Sequence, residues 1–469
     1  MKILAMDLGT SSARALVLDE NAAELPGHLA RRKVTMVTEP AGAGTLDAAA
    51  YLAALVACVD ELADAGRLDG VGLVAVSAQW HSLLPVDTIG APLGPVLTWL
   101  DSRAAAPSGV SGPADPADYH RRTGTWWHRC YWPMRLRWLR DCEGVRAARY
   151  VGLAEYVLGE LLDDPAMSIS QASGTGLLDL RAGTWDEEAL ELAGVPATQL
   201  PALAAADWRG RLRPEYARRW PPLAGAAWAP TVGDGAAANV AAGCVTAQRA
   251  TVTVGTSAAL RVARYAPVGT ALPPLSDRHW RYRVDHDYIV TGTAYSSGGN
   301  LYAWAQRELR LPTGEALEEE LARTSPQSPV ADPRFGGDRP PGIAPAGSGS
   351  LTGLGFHTTA VDIFAALARG LCRQVAEDLV PLEEGLSAPM EVVLNGGAIA
   401  ASSWWRSAFA DALAPRSVQF QPEPEIGVVG AALVALGRIA CPAPAAPAGT
   451  DRDLRVVGHD SVGVSQYPS

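Results

Sequence analysis

Lysine is almost missing from this chain: Lys2 and Lys33 are the only two among 469 residues. A Walker A loop needs a lysine that reaches the β and γ phosphates of a nucleotide, so that mode of binding is excluded. Backbone NH groups, hydroxyls, arginine and a metal ion would have to hold any phosphate instead. Cysteine is sparse too. Cys58, Cys130, Cys142, Cys244, Cys372 and Cys441 are scattered, with no pair at zinc-ligand spacing. A reduced compartment and no structural metal are the expectation. No apolar run reaches membrane-spanning length. The opening Met1-Lys2-Ile3-Leu4-Ala5-Met6-Asp7 has none of the regions of a secretory signal, so a cytoplasmic location is expected. Basic residues are in deficit, 39 Lys+Arg against 50 Asp+Glu for a net charge of -11, which argues against nucleic acid or an anionic membrane as a partner.

What is present is a well-packed composition, 48% hydrophobic and 19% charged, long enough for two or three domains. One short pattern occurs twice. Asp7-Leu8-Gly9-Thr10-Ser11 lies between the apolar runs Ile3 to Met6 and Ala15 to Leu18, and Val254-Gly255-Thr256-Ser257 between Thr251 to Val254 and Ala259 to Val262. Both read as β-hairpins with a tight Gly-Thr-Ser turn. Such turns let backbone NH groups approach an anion, and two of them face to face would grip a polyphosphate from both sides. The duplication predicts two similar domains with a nucleotide between them.

Around the first hairpin the order is that of an α/β domain: a helix over Leu46 to Ala65, then the buried strand Val71 to Ser77. A Pro/Gly/Ala/Asp-rich loop from Ala105 to Asp118, the Trp-rich segment Trp126 to Trp138 and a helix over Gly152 to Leu162 form an insertion suited to substrate contacts. The glycine-rich Val232 to Gly243 marks the domain boundary, giving units at 1–241 and 242–441 and a peripheral tail at 442–469. Beyond the second hairpin, helices are expected over Gly298 to Leu309, Ala360 to Leu379 and Gly427 to Ile439, with a strand at Glu391 to Leu394.

The chemistry-bearing residues cluster at strand ends. Asp7 closes the first strand before the glycine turn, where its carboxylate would hold a magnesium ion or, in the plainer reading, stabilise the turn. Arg14 is a cation for a phosphate or a solvated surface residue. Asp234, in Val232-Gly233-Asp234-Gly235, would take the proton of an attacking hydroxyl, though Asp-Gly is also a common plain turn. Asn395-Gly396-Gly397-Ala398 opens a helix where a flat base could lie on the backbone. Gln79-Trp80-His81 and Trp99-Leu100-Asp101-Ser102-Arg103 follow buried strands, and His81, Asp101 and Tyr131 form a set able to hydrogen-bond a polyhydroxylated substrate.

In this order the segments resemble the FGGY carbohydrate kinases, of the actin, Hsp70 and sugar-kinase fold, from Met1 to about Ile439. The first hairpin through Arg14 is similar to the family's first phosphate motif, Trp99-Leu100-Asp101-Ser102-Arg103 to its Trp-x-Asp-x-Arg element, and Gly233-Asp234-Gly235 to the turn with its base. Val254 to Ser257 resembles the second phosphate motif. Asn395 to Ala398 with Ser402, Trp405 and Asp411 resembles the adenosine segment, and Glu425 through Gly430-Ala431-Ala432 the closing motif. Trp80 to Asp87, Thr123 to Pro133 and Ser170 to Leu178 look most like the members that phosphorylate gluconate. The sequence departs from relatives at Arg135, Asn395, Ala401 and Ser407 and in Gly337-Asp338-Arg339-Pro340-Pro341.

The resemblance implies two actin/Hsp70-like, that is ribonuclease H-like, α/β domains with an interdomain cleft. It implies ATP and Mg2+, with Thr10, Ser11, Arg14, Gly255, Thr256, Gly397 and Ser402 at the nucleotide, Asp7 at the metal, Asp234 as base, and His81, Asp101, Tyr131 and Asp234 at the substrate. Arg135, Arg129 and His128 are expected to supply donors to a sugar-acid carboxylate. The implied partner is a small sugar or sugar acid, with a homodimer as one admissible assembly. Alternatives are an FGGY kinase for xylulose, another ketose or a polyol, and a catalytically silent nucleotide-binding regulator.

Overall fold

A computed structural model of the protein describes residues 1–104, 112–325, 327, 329–337, 347–421 and 426–439. The expectations for Glu425, for Asp338 to Pro341 and for the tail at 442–469 lie outside the described residues.

Two mixed sheets carry the fold. In the first, β1 (Lys2–Leu8), β2 (Ser12–Leu18) and β3 (Glu24–Lys33) form an antiparallel meander. Parallel to β1 runs β4 (Val71–Ala78), which pairs in turn with β5 (Ala227–Trp228) and β6 (Val232–Gly233). In the second sheet, β7 (Arg249–Val254), β8 (Ala258–Tyr265) and β10 (Tyr288–Tyr295) repeat the meander, with β9 (Trp280–Arg283) added at the edge. The parallel part is β11 (Glu391–Asn395) beside β7 and β12 (Val418–Phe420) beside β11. The spatial order third, second, first, fourth, fifth strand is thus the same in both halves. The duplicated hairpins mark a duplicated topology.

Alternation along the strands sorts the core. Leu4, Met6, Leu8, Val74, Val76 and Ala78 face one way, against α1 (Ala48–Asp64) and the buried Trp220 and Trp228. Asp47 caps α1 by accepting from the Ala50 NH, so the helix begins two residues later than the apolar pattern suggests. Ile3, Ala5, Leu73 and Ala75 face the other way, into a second cluster with α3 (Asp234–Ala241) and α8 (Ile426–Ala435). These two helices are in intimate contact, since a methyl group on Gly430 would overlap the Ala237 carbonyl. Helix α8 therefore packs on the first sheet although it lies beyond the expected boundary at 241. It is also shorter than its apolar run: Gly437, at φ +65°, ends it in a left-handed turn before Ile439.

The second half has its own core, where α5 (Ala360–Leu379) buries Phe364, Leu367, Leu371 and Val375 against β7 and β11. Thr359 and Asp362 form the capping box that starts α5. Among the described residues no helix is long and apolar enough to cross a membrane.

Candidate active site

The carboxyl ends of the parallel strands bring the candidate residues of the first half together. Asp7 pairs with Ser77 and Ser77 with Val232, so Asp7 on β1 and Asp234, just past β6, stand on either side of the end of β4. Across the hairpin Asp7 is opposite Arg14, and opposite residues of an antiparallel pair share a face. Arg14 also donates from Nε to Ser12 Oγ at 3.0 Å. The turn itself is braced from outside: Tyr51 donates its hydroxyl to Gly9 O at 2.8 Å, and Trp99 Nε1 donates to Thr10 Oγ1 at 3.1 Å. With an acceptor site of Thr10 so occupied, its own proton is left to donate to a ligand. Ser11 is exposed at the tip.

The second turn is held differently. α4 (Gly299–Leu309) presents its first NH groups to the turn, Gly299 N to Gly255 O at 2.7 Å and Asn300 N to Thr256 O at 3.0 Å. Carbonyls thus engaged face away from a ligand, and the turn offers donors, with Thr256 exposed. Gly396 sits at φ +103° with its α-carbon pressed on the Val254 backbone, so a side chain is excluded there. That contact places Gly397, at the start of α6 (Gly397–Ala401), beside the second turn. Ser402 caps α7 (Ser403–Leu413), accepting from Trp405 N at 3.1 Å.

Asp234 is the first residue of α3 and is exposed, where the helix dipole favours a carboxylate. Its glycine neighbours have a reason beyond turn formation. A methyl group on Gly233 would overlap the Trp80 indole, and one on Gly235 would lie 2.8 Å from Trp80 Cζ3 and 2.7 Å from Arg261 Nε. On its other side the indole rests against Gly174, where a methyl carbon would lie 2.6 Å from Cδ1. Trp80 Nε1 donates to Ser170 O at 2.9 Å. Trp80 is therefore wedged in a glycine-walled slot that fixes the distance between Asp234 and His81.

His81 has φ +68°, a conformation that non-glycine residues hold only when surroundings impose it, and such strain gathers at functional sites. Its Nδ1 bonds Gly174 O at 2.6 Å, which fixes the tautomer with the proton on Nδ1. The Tyr131 ring meets the His81 ring edge-on at 5.2 Å, and the Tyr131 hydroxyl bonds that of Tyr282 at 2.8 Å. Tyr282, on β9, also approaches His81 at 5.5 Å and stacks on Trp280.

Two profile matches decide the identity: the FGGY carbohydrate kinase N-terminal domain over residues 2–241 and its C-terminal domain over 250–437. The chain belongs to the FGGY family of carbohydrate kinases. It is an ATP-dependent carbohydrate kinase, and the silent-regulator alternative falls. Over 441 residues it is 23% identical to a gluconokinase of Bacillus subtilis, covering 87% of this chain and 82% of that protein. With a glycerol kinase of Polaromonas naphthalenivorans it shares 26% identity over 425 residues, 84% of this chain and 82% of that one. The structure of a xylulose kinase from Lactobacillus acidophilus superposes with a TM-score of 0.84 at 21% identity, covering 93% and 89% of the two chains. The two-domain α/β fold is that of these kinases.

Within this kinase, His81, Tyr131 and Asp234 converge through Trp80, and Asp7, Thr10 and Arg14 share the first hairpin. Asp101 has a demanding set of partners of its own: Arg103 grips its carboxylate from Nε at 3.0 Å and NH2 at 2.6 Å, and Gly44 N donates at 3.1 Å. Arg135 is corrected. Its guanidinium is buried and spent on carbonyls, with Nε on Arg129 O, NH1 on His81 O and NH2 on Thr98 O and Asp101 O. It ties three segments of the site together, at His81, at Thr98 to Asp101 and at Arg129, and is no donor to a substrate carboxylate, because its helix, α2 (Trp132–Asp141), turns it inward. Tyr282 was missed by sequence reasoning, and Trp80, named there within Gln79-Trp80-His81, was given no role of its own. The alternation of aromatics with arginine over Trp280-Arg281-Tyr282-Arg283 was the one signal for Tyr282.

Proposed function

We propose that this kinase transfers the γ-phosphoryl group of ATP to a primary hydroxyl of a sugar acid, with gluconate first, in the cytoplasm. The observation that carries the kinase chemistry to named residues is Asp234 at the N-terminus of α3, locked to the strained His81 through the Trp80 wedge. Asp234 takes the proton of the acceptor hydroxyl as its oxygen bonds to phosphorus and the bond to ADP breaks. The two Gly-Thr-Ser turns hold the phosphates with NH and hydroxyl donors, and Arg14 offsets their charge. Gly397 lies where adenosine would rest. His81 and Tyr131 orient the acceptor, and the cleft excludes water.

Magnesium fits the first turn. Among the described residues no three or more His, Cys, Asp or Glu gather as a metal cage, and Asp7 with Asp234 supplies one or two carboxylates at the strand ends. That is what a cation which keeps its waters and shares substrate phosphates needs. Asp7 would hold it, and when bound it would neutralise phosphate charge.

Gluconate is favoured by the three segments around His81, Tyr131 and Ser170 and by the similarity to the Bacillus subtilis gluconokinase. Arg129, exposed, and His128, half-buried, remain as donors for its carboxylate. A second reading, a ketose or polyol as acceptor, is favoured by the glycerol and xylulose kinase likenesses. Coupled ADP release across gluconate, xylulose, glycerol and related compounds tests the choice. Gluconate is expected to give the highest kcat/KM, and an uncharged ketose or polyol in first place would overturn gluconate and leave the kinase standing.

A further inference from the structure

One buried side chain at the reacting end of the first sheet makes no hydrogen bond among the described residues. Gln79 follows β4 directly, and its NH extends the ladder to Leu8 O at 3.1 Å. Leu8 pairs with Ala78 and Ala78 with Gly233, so the next step of the register sets Gln79 between Gly9 of the phosphate turn and Asp234. Strand alternation gives its face. Leu73 and Ala75 pack on Val428, Ala431 and Ala432 of α8, and the next in the row, Ser77, has its Oγ beside Gly427 near the start of that helix. Gln79 continues this row, the row of Asp7, past the helix terminus.

Gln79 is 1% exposed, and neither Oε1 nor Nε2 of its carboxamide has a hydrogen-bond partner among the described residues. Leaving a buried donor or acceptor unsatisfied costs about 1–3 kcal/mol, so leucine or methionine would serve the fold better. The chemistry on either side says why an amide stands here. Between Asp7 and Asp234 a carboxylate would be repelled and a cation would pair with one of them, whereas a neutral donor stays available.

We propose that Gln79 is a catalytic residue: its Nε2 donates to a non-bridging oxygen of the phosphoryl group in transit. The inference rests on the kinase reading of Asp234 given above. In the step, the acceptor oxygen bonds to phosphorus, the bond from phosphorus to the ADP oxygen breaks, and the acceptor proton goes to Asp234. Gln79 neither gains nor loses a proton; it stabilises charge spread over the phosphoryl oxygens.

Gln79→Leu and Gln79→Glu test this, assayed with the best acceptor of the panel beside Asp234→Asn. Gln79→Leu is expected to lower kcat about 10²-fold, with KM for ATP and acceptor within about threefold and Tm held or raised, since an unpaired amide has been removed. Gln79→Glu is expected to fall further, and stands as the test should the leucine variant not fold. Trapping of ADP by aluminium fluoride, a mimic of the phosphoryl group in flight, is expected in the parent and lost in both variants. A Gln79 variant that folds and turns over within threefold of the parent overturns the proposal, as does retained trapping. Full turnover in Asp234→Asn with loss in Gln79→Leu would remove the assigned base and leave Gln79 standing; the reverse would remove Gln79 alone.

Discussion

Replacing Gly233 with alanine puts a methyl group where the Trp80 indole already lies. Carbon atoms pack at about 3.5–4.0 Å. At Gly235, where an added methyl carbon would lie 2.8 Å from Cζ3, the shortfall is about 0.7 Å; at Gly233 it is larger. The indole has no retreat, because Gly174 walls its far edge and Ser170 O holds its Nε1 at 2.9 Å. Overpacking of this kind costs about 1–3 kcal/mol or more. The displacement also separates Asp234 from His81, and a misplacement of about 1 Å costs on the order of 10²-fold in rate. Gly233→Ala should therefore lose about 10²-fold in kcat and several degrees of Tm. Trp80→Leu vacates the slot, so the double variant should be more stable than the sum of the single effects, with a coupling of about 1–3 kcal/mol in denaturant titrations. Additive single and double variants, or Gly233→Ala at parental rate and stability, would refute the wedge.

Asp234→Asn should cut kcat by about two to four orders of magnitude with KM for ATP little changed, as steady-state kinetics will show. Tyr282→Phe removes the partner of the Tyr131 hydroxyl, so a loss of about 1 kcal/mol in urea titrations and a raised acceptor KM are expected; an unchanged KM would take Tyr282 out of the acceptor site. Burial raises the Glu155 carboxyl to about 7, and its Oε2 has no hydrogen-bond partner among the described residues. The folded state then binds a proton that the unfolded state releases near its ordinary value. The contribution of this group is fully present below about pH 4.5 and is lost as pH rises to about 7, by on the order of 3 kcal/mol. Glu155→Gln should flatten the curve of Tm against pH between 5 and 8, and an unaltered slope would count against the buried acid.

The hairpins were legible because strand alternation and a Gly-Thr-Ser turn are local signals, and the common strand order of the two halves follows from their repetition. Asp234 was legible as a position but its glycines were not, because the atom that demands them belongs to Trp80, far off in the chain. Arg135 was misread for a similar reason: spacing places it near the Trp-rich segment, and only the fold shows four carbonyls converging on it. Tyr282 meets Tyr131 across 151 positions, a pairing that no local pattern announces.

Helix α8 is the last element described, and it covers an apolar face made in part by β1, about 420 residues earlier in the chain. Synthesis delivers Ile3, Ala5, Leu73 and Ala75 long before Val428, Ala431 and Ala432 exist. The amino-terminal half, though it matches a family model of its own, must wait for the other half to be made before that face closes, holding a greasy row exposed in the meantime. Severed at the boundary between the two halves, it should aggregate, and supplying a peptide of residues 426–439 should relieve that by restoring the missing cover.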